Sequence, residues 1–338
     1  MPALKRNDAS AMVRKPDAGI DRPDPAQGPA KVGPYRVERK IGHGSMGAVY
    51  LARDQRTDRP LAIKTLALGR EFAGVALEEA RLRFAREAQA AGRLAHPGIV
   101  AILGSGEDRD LAWIAMEYLT GRDLTHYASA AGLLPVPVAL RVVARVADAL
   151  GYAHSQGVVH RDIKPANVML DLASDSVKVT DFGIARIADS SRTRTGMMLG
   201  TPSFMSPEQM DGRRIDGRSD LYALGGLLFQ MLCARLPHEA GSMAALMHQI
   251  VNQRAPDIRS LRPELPAALA DLLAQALEKR PELRPTDGQR LALDLRRVAR
   301  QMAGDAAATG PVEGTTGIDA FTETVKFSRS DPGHNLKE

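Results

Sequence analysis

The stretch VVHRDIKPANVMLDLASDSVKVTDFG, residues 158–183, decides how the chain is read. It is too polar for an ordinary core segment. Two short apolar runs, Val168–Leu170 and Val177–Val179, flank a turn-like insert, which predicts a small hairpin. Asp162, Lys164 and Asn167 precede the first run, and Asp181 follows the second. Closing the hairpin brings its two ends together, so Asn167 and Asp181 can share a magnesium ion. Asp162 then lies near enough to handle a hydroxyl proton. Oxygen ligands of this kind suit magnesium carrying a nucleotide phosphate.

His160-Arg161-Asp162 with Asn167 fits HRDxxxxN, and Asp181-Phe182-Gly183 fits DFG. In that order and at that spacing, the block resembles the catalytic loop and metal-binding triplet of bacterial eukaryotic-like (Hanks-type) serine/threonine protein kinases. The resemblance implies an α+β bilobal protein kinase fold, with a β-rich N-lobe carrying one key helix and a mainly helical C-lobe. It also implies ATP and Mg2+ as cofactors. Asp162 and Lys164 would be catalytic, and Asn167 and Asp181 would hold the metal. His160 could be a histidine base, but no paired nucleophile lies near it in sequence, so it reads as a buried scaffold group.

Upstream, alternation from Tyr35 predicts a strand with Val37 and Ile41 on one face and Arg36, Glu38 and Lys40 on the other. Gly42-His43-Gly44-Ser45-Met46-Gly47-Ala48-Val49 follows, a GxGxxGxV match. Alone, such glycines also mark dinucleotide-binding folds, where they open a helix. Here the apolar, β-branched run Ala48–Ala52 continues instead, predicting strand, glycine turn and strand. That is a flap whose backbone amides can approach phosphates closely.

Leu61-Ala62-Ile63-Lys64 is a further short strand. By resemblance Lys64 contacts the α and β phosphates and is held by a glutamate on the next helix, expected over Ala76–Leu94. Glu78, Glu79 and Glu87 lie there, and the run RFAREAQAAGRLAHPGIV selects Glu87. Ile99–Leu103 and Leu111–Met116 read as two more strands. The resemblance makes Met116 the gatekeeper and Glu117 and Leu119 hinge positions. It adds Ile41, Val49, Ala62 and Met169 to the nucleotide pocket.

Val138–Ser155 carries apolar residues at helical spacing and reads as core, with His154 at the helix end. Between Ile184 and Glu208 lie seven serines and threonines, and the stretch closes on Ser206-Pro207-Glu208, similar to the family's APE. Arg161 before Asp162 implies an activation loop awaiting phosphate, for which Thr193 and Thr195 are the expected sites. A phosphothreonine there adds about −1.5 to −2 charge opposite an arginine. Thr201 is expected to pack against Asp162 and Lys164. Lys164 and Gly200-Thr201-Pro202 match serine/threonine rather than tyrosine kinases. Asp220 resembles the aspartate that holds the catalytic loop backbone, and Arg284 the arginine that pairs with Glu208 in a buried ion pair.

The chain has 338 residues, 25% charged and 44% apolar, with net charge +5, an ordinary globular balance. No Lys/Arg block is interleaved with aromatics, so no nucleic-acid partner is expected. A single cysteine, Cys233, excludes an internal disulfide and a Cys-rich zinc site. The N-terminus lacks a signal-peptide core, and Leu221–Leu232 is too short to span a bilayer. The expectation is a cytoplasmic protein without the membrane span and outer sensor of receptor-like relatives.

Three units are expected: a disordered extension at 1–32, a kinase domain at 33–303 (lobes 33–118 and 119–303), and a flexible Thr-rich tail at 304–338. The tail could also hold autophosphorylated docking sites at Thr315, Thr316, Thr322 or Thr324 for a forkhead-associated phosphothreonine reader. The expected partners are protein substrates bearing Ser or Thr. The rivals are a catalytically weak kinase-fold scaffold and a kinase-fold phosphotransferase acting on small molecules. Neither the oligomeric state nor the physiological substrate is legible.

Overall fold

The computed structural model describes residues 29–44, 47–108, 111–182 and 202–308. Strands β1 (Lys31–Val32), β2 (Tyr35–Gly44), β3 (Gly47–Asp54), β4 (Pro60–Leu66), β5 (Ile102–Asp108) and β6 (Leu111–Glu117) form one antiparallel sheet in the order β1-β2-β3-β4-β6-β5. Helices α1 (Leu68–Glu71) and α2 (Val75–Gly92) sit between β4 and β5 in the chain. On α2 the buried residues are Ala80, Phe84, Ala88 and Ala91, the spacing of one helical face. That face packs with Leu66, Ile114 and Met116, while Tyr35, Ala52, Ile63 and Trp113 form a second cluster.

The C-lobe is built on α3 (Val136–Ser155), α4 (Pro207–Met210), α5 (Gly217–Cys233), α6 (Met243–Asn252), α7 (Ala267–Ala276) and α8 (Gly288–Ala308). Every residue of α5 from Ser219 to Phe229 is buried, as expected of a helix at the centre of a core. Fully burying a side chain such as Leu221 or Phe229 contributes roughly 1.5–3 kcal/mol. A small antiparallel sheet of β7 (Arg122–Asp123), β8 (Val168–Asp171) and β9 (Ser176–Val179) lies on this lobe. Its β8–β9 pair is the expected hairpin, with Val168 opposite Val179. The lobes are joined through Glu117–Gly121. There Gly121 has φ +89, and an added Cβ would sit 2.3 Å from the Leu170 carbonyl oxygen, so only glycine fits.

Two strand expectations are corrected. The simple alternation of β2 fails because register shifts fall between Val37 and Arg39 and between Lys40 and Gly42, leaving Ile41 37% exposed. The strand expected at Ile99–Leu103 begins only at Ile102. Its first residues pair with the other lobe instead: Val100 N–H donates to the Val179 carbonyl at 2.9 Å and Val179 N–H to the Gly98 carbonyl at 2.8 Å. The segment after α2 is thereby stitched to β9. Among the described residues no helix is long and apolar enough to cross a membrane.

Candidate active site

After α3 the chain turns at Gly157 (φ +75) and enters the loop 158–167. Arg161 has φ +70, a left-handed conformation that costs a non-glycine residue roughly 1–2 kcal/mol. Asp220, in the first turn of α5 and 1% exposed, holds it. The Asp220 carboxylate accepts from the backbone N–H of His160 at 2.8 Å and of Arg161 at 2.7 Å. It also accepts from His154 Nε2 at 2.8 Å, so this ring does more than end a helix.

His160 is fully buried, and both ring nitrogens are engaged. Nε2 donates to the Thr180 carbonyl at 2.7 Å, which leaves Nδ1 as acceptor for the Asp162 N–H at 3.2 Å. Its ring stands edge-on to Phe182 with centroids 4.6 Å apart. This is a scaffold histidine with no lone pair left for a substrate proton.

The loop delivers three side chains to one place. Lys164 Nζ donates to Asp162 Oδ2 at 2.7 Å, and the Asp162 side chain remains 39% exposed. Asn167 Nδ2 donates to the Asp162 carbonyl at 2.7 Å and to its Oδ2 at 3.1 Å. With its nitrogen so occupied, Asn167 has Oδ1 as the atom suited to a hard cation. The Asn167 carbonyl accepts from Thr180 N–H at 2.9 Å, which places Asp181 one residue further along at the same hairpin end. An amide oxygen and a carboxylate fit magnesium, which keeps several waters and takes substrate phosphates as its other ligands.

One pairing differs from the expectation. Lys64 Nζ bonds Asp181 Oδ2 at 2.7 Å, and Glu87 is not its partner here. Asp181 has φ +64, and its carboxylate meets Lys64 of β4. Glu87 lies on α2, half-buried, with contacts of its own. Lys64 is registered between Val49 on β3 and Ile114 on β6.

Ala62 lies opposite Met116, and both are buried. Met116, Ile102, Asp181 and Phe182 line one small internal cavity. Glu117 Oε1 accepts from Ala101 N–H at 2.8 Å and pairs with Lys178 Nζ of β9 at 2.5 Å, so the hinge side chain also ties the lobes. Leu119 packs on the N-lobe core. Met169 shares an open groove with Arg122, Asp123 and His126. Gly42, His43, Gly44 and Gly47 belong to the β2–β3 hairpin; Gly44 faces Gly47. Ser45, Met46, Thr193, Thr195, Thr201 and the tail threonines lie outside the described residues.

Glu208 and Arg284 form the expected buried pair, bidentate at 2.7 and 2.8 Å. Ser219 Oγ adds a third bond to Glu208 at 2.5 Å. Gln209, which no sequence expectation names, and His154, expected only to end a helix, contact this machinery directly. The capping-box pattern of Ser206 and Gln209 is local, but the bonds of His154 to Asp220 and of Gln209 to Arg161 span 66 and 48 residues, which no local pattern announces.

The sequence matches the protein kinase domain family over residues 35–295. The chain belongs to the protein kinase family. It is 39% identical over 278 residues to serine/threonine-protein kinase pkn3 of Myxococcus xanthus, covering 79% of this chain and 50% of that protein. It is 42% identical over 281 residues to serine/threonine-protein kinase PksC of Streptomyces coelicolor, covering 79% and 49%. The crystal structure of the PknI kinase domain of Mycobacterium tuberculosis superimposes with a TM-score of 0.65 at 31% identity, covering 79% of this chain and 97% of that one. The kinase domain described here thus spans about half the length of the curated relatives it matches.

Proposed function

We propose that this chain transfers the γ-phosphoryl group of ATP to serine or threonine hydroxyls of proteins. The observation that carries the reading is the Asp162 carboxylate, partly exposed and held by Lys164 at 2.7 Å and Asn167 at 3.1 Å beside the hairpin end that bears Asp181. Asp162 orients the acceptor hydroxyl and takes its proton as the oxygen attacks phosphorus. The ammonium of Lys164, already at the carboxylate, meets the charge that develops on the transferring phosphoryl group. Lys64 engages the α and β phosphates, and the flap from Gly42 to Gly47 covers them with backbone N–H groups. Asn167 and Asp181 would hold magnesium, which when bound neutralises phosphate charge. Placement and charge stabilisation supply most of the rate.

A protein acceptor is favoured over a small molecule by the segment ending in Ser206-Pro207-Glu208, anchored through Arg284, and by the serine/threonine-protein kinase names of the relatives. Autophosphorylation at Thr193 and Thr195, a signalling role, a tail-binding phosphothreonine reader and a cytoplasmic setting belong to the same proposal. The test is transfer from labelled ATP to myelin basic protein, run beside a metabolite panel, for wild type and Asp162→Asn. Protein labelling that falls by at least about a hundredfold in the variant is expected. Equal labelling by the two proteins, or transfer only to metabolites, refutes the reading.

A further inference from the structure

Gln209, in α4 and paired with its N-cap Ser206 in a capping box, reaches across to the catalytic loop 48 residues earlier. Its Nε2 donates to the carbonyl oxygen of Arg161 at 2.9 Å. Its Oε1 accepts from Ser206 N–H at 3.0 Å and from Ser206 Oγ at 3.0 Å. The orientation of this amide is set by its neighbours: one end faces an N–H and the other a carbonyl, and only one flip satisfies both.

The Arg161 carbonyl and the Asp162 N–H belong to the same planar peptide unit. His160 Nδ1 takes the N–H end at 3.2 Å, and Gln209 takes the carbonyl end at 2.9 Å. Asp220 fixes the preceding peptide through the Arg161 N–H at 2.7 Å. The strained φ of +70 at Arg161 lies between these two clamped planes. Rotation about φ of Arg161, which would relieve that strain, moves the 161–162 peptide against the preceding one and carries the Asp162 backbone with it. Of the two groups that oppose the rotation, only Gln209 comes from the segment that closes the 184–208 stretch.

We infer that Gln209 is a positioning residue for phosphoryl transfer, aiming Asp162 by clamping the 161–162 peptide and tying that clamp to the Ser206 turn. The inference rests on Asp162 being the base. It ties the catalytic aspartate to the Ser206–Gln209 turn through the backbone of the loop, with Gln209 acting on Asp162 and not on substrate.

Two variants separate the clamp from the helix cap. Gln209→Glu keeps an acceptor for Ser206 but sets an oxygen against the Arg161 carbonyl. Gln209→Lys keeps a donor for that carbonyl and loses the acceptor. Steady-state transfer to myelin basic protein and amide exchange of the peptide covering 158–167 are measured in the full chain. The glutamate variant should lose about tenfold in kcat, the order of one hydrogen bond plus a repulsive contact, with KM for ATP within about twofold. Its loop amides should exchange at least about tenfold faster while those of α5 are unchanged. The lysine variant should stay closer to wild type on both readouts. The reverse ranking, with glutamate near wild type and lysine impaired, assigns Gln209 to the cap alone and overturns the inference, as do unchanged loop amides in the glutamate variant. Amide exchange needs no substrate. If wild type phosphorylates no protein while the loop amides still respond, the functional reading fails and the clamp stands.

Discussion

Replacing Arg284 with methionine should destabilise the kinase domain more than any surface substitution, and the structure sets the size. The side chains of Arg284 and Glu208 are 0% and 3% exposed. Removing the guanidinium leaves the Glu208 carboxylate with Ser219 Oγ as its remaining side-chain donor at 2.5 Å. An uncompensated buried charge of this kind costs about 3–5 kcal/mol, and the missing second donor places this case near the top of that range. The reciprocal Glu208→Ala should fall near the bottom. Arg284 keeps bonds to the carbonyls of Glu278 at 2.7 Å, Arg218 at 3.0 Å and Lys279 at 3.1 Å, and lies over the Tyr222 ring at 4.9 Å.

Urea unfolding followed by fluorescence gives the difference directly. The corresponding fall in Tm is roughly 8–10 °C for Arg284→Met. Burial pushes the Glu208 carboxyl up, but the hydrogen bonds from Arg284 and Ser219 outweigh it and hold the net value below the ordinary 4.5. The wild-type pair therefore stabilises fully above about pH 4.5 and loses its contribution as pH falls further, through the depressed folded value. In Arg284→Met burial is opposed only by Ser219 and a backbone hydrogen bond, so the carboxyl protonates more readily and the variant's deficit should narrow as pH is lowered towards 4.5. A deficit under 1 kcal/mol, or one that widens on acidification over that range, refutes the reasoning. High salt should change nothing, because the pair is out of reach of mobile ions.

Lys64→Met should cut phosphoryl transfer by at least about a hundredfold while moving stability by less than about 1 kcal/mol, since the Lys64–Asp181 pair is partly exposed on both sides, at 22% and 26%. Paired activity and urea measurements check both halves. Gly121→Ala meets the Leu170 carbonyl 2.3 Å from the new Cβ at φ +89, so a loss of at least about 2 kcal/mol is expected, together with a raised KM for ATP as the hinge shifts. His238 is 6% exposed, and burial, with Lys279 at 3.1 Å, pulls its pKa from 6.5 down to about 4. Its contribution is complete above pH 6.5 and is lost as pH falls towards 4, so the stability of wild type relative to His238→Gln should drop by about 2–3 kcal/mol across that window. A flat difference curve sinks that assignment.

The catalytic loop was legible because its chemistry is local. Asp162, Lys164 and Asn167 fall within six residues, and the hairpin that returns Asp181 to them needs only two apolar runs and a turn. The glycine flap and the long helical patterns of α2 and α3 were legible for the same reason, since periodicity and φ freedom are properties of short windows. The Glu208–Arg284 and Asp220 contacts span 76 and about 60 residues, and family motifs supplied them where spacing could not.

Tertiary structure decided the rest. Whether Lys64 pairs with Glu87 or Asp181 depends on where α2 and the hairpin end sit relative to β4, which a motif does not encode. The hydrogen bonds of Gly98 and Val100 went to β9 rather than to the sheet, because a backbone group bonds whichever partner folding brings beside it. His154 and Gln209 have ordinary side chains in ordinary sequence surroundings. They acquire their roles only because α3 brings one to Asp220 and the Ser206 turn brings the other to the Arg161 carbonyl.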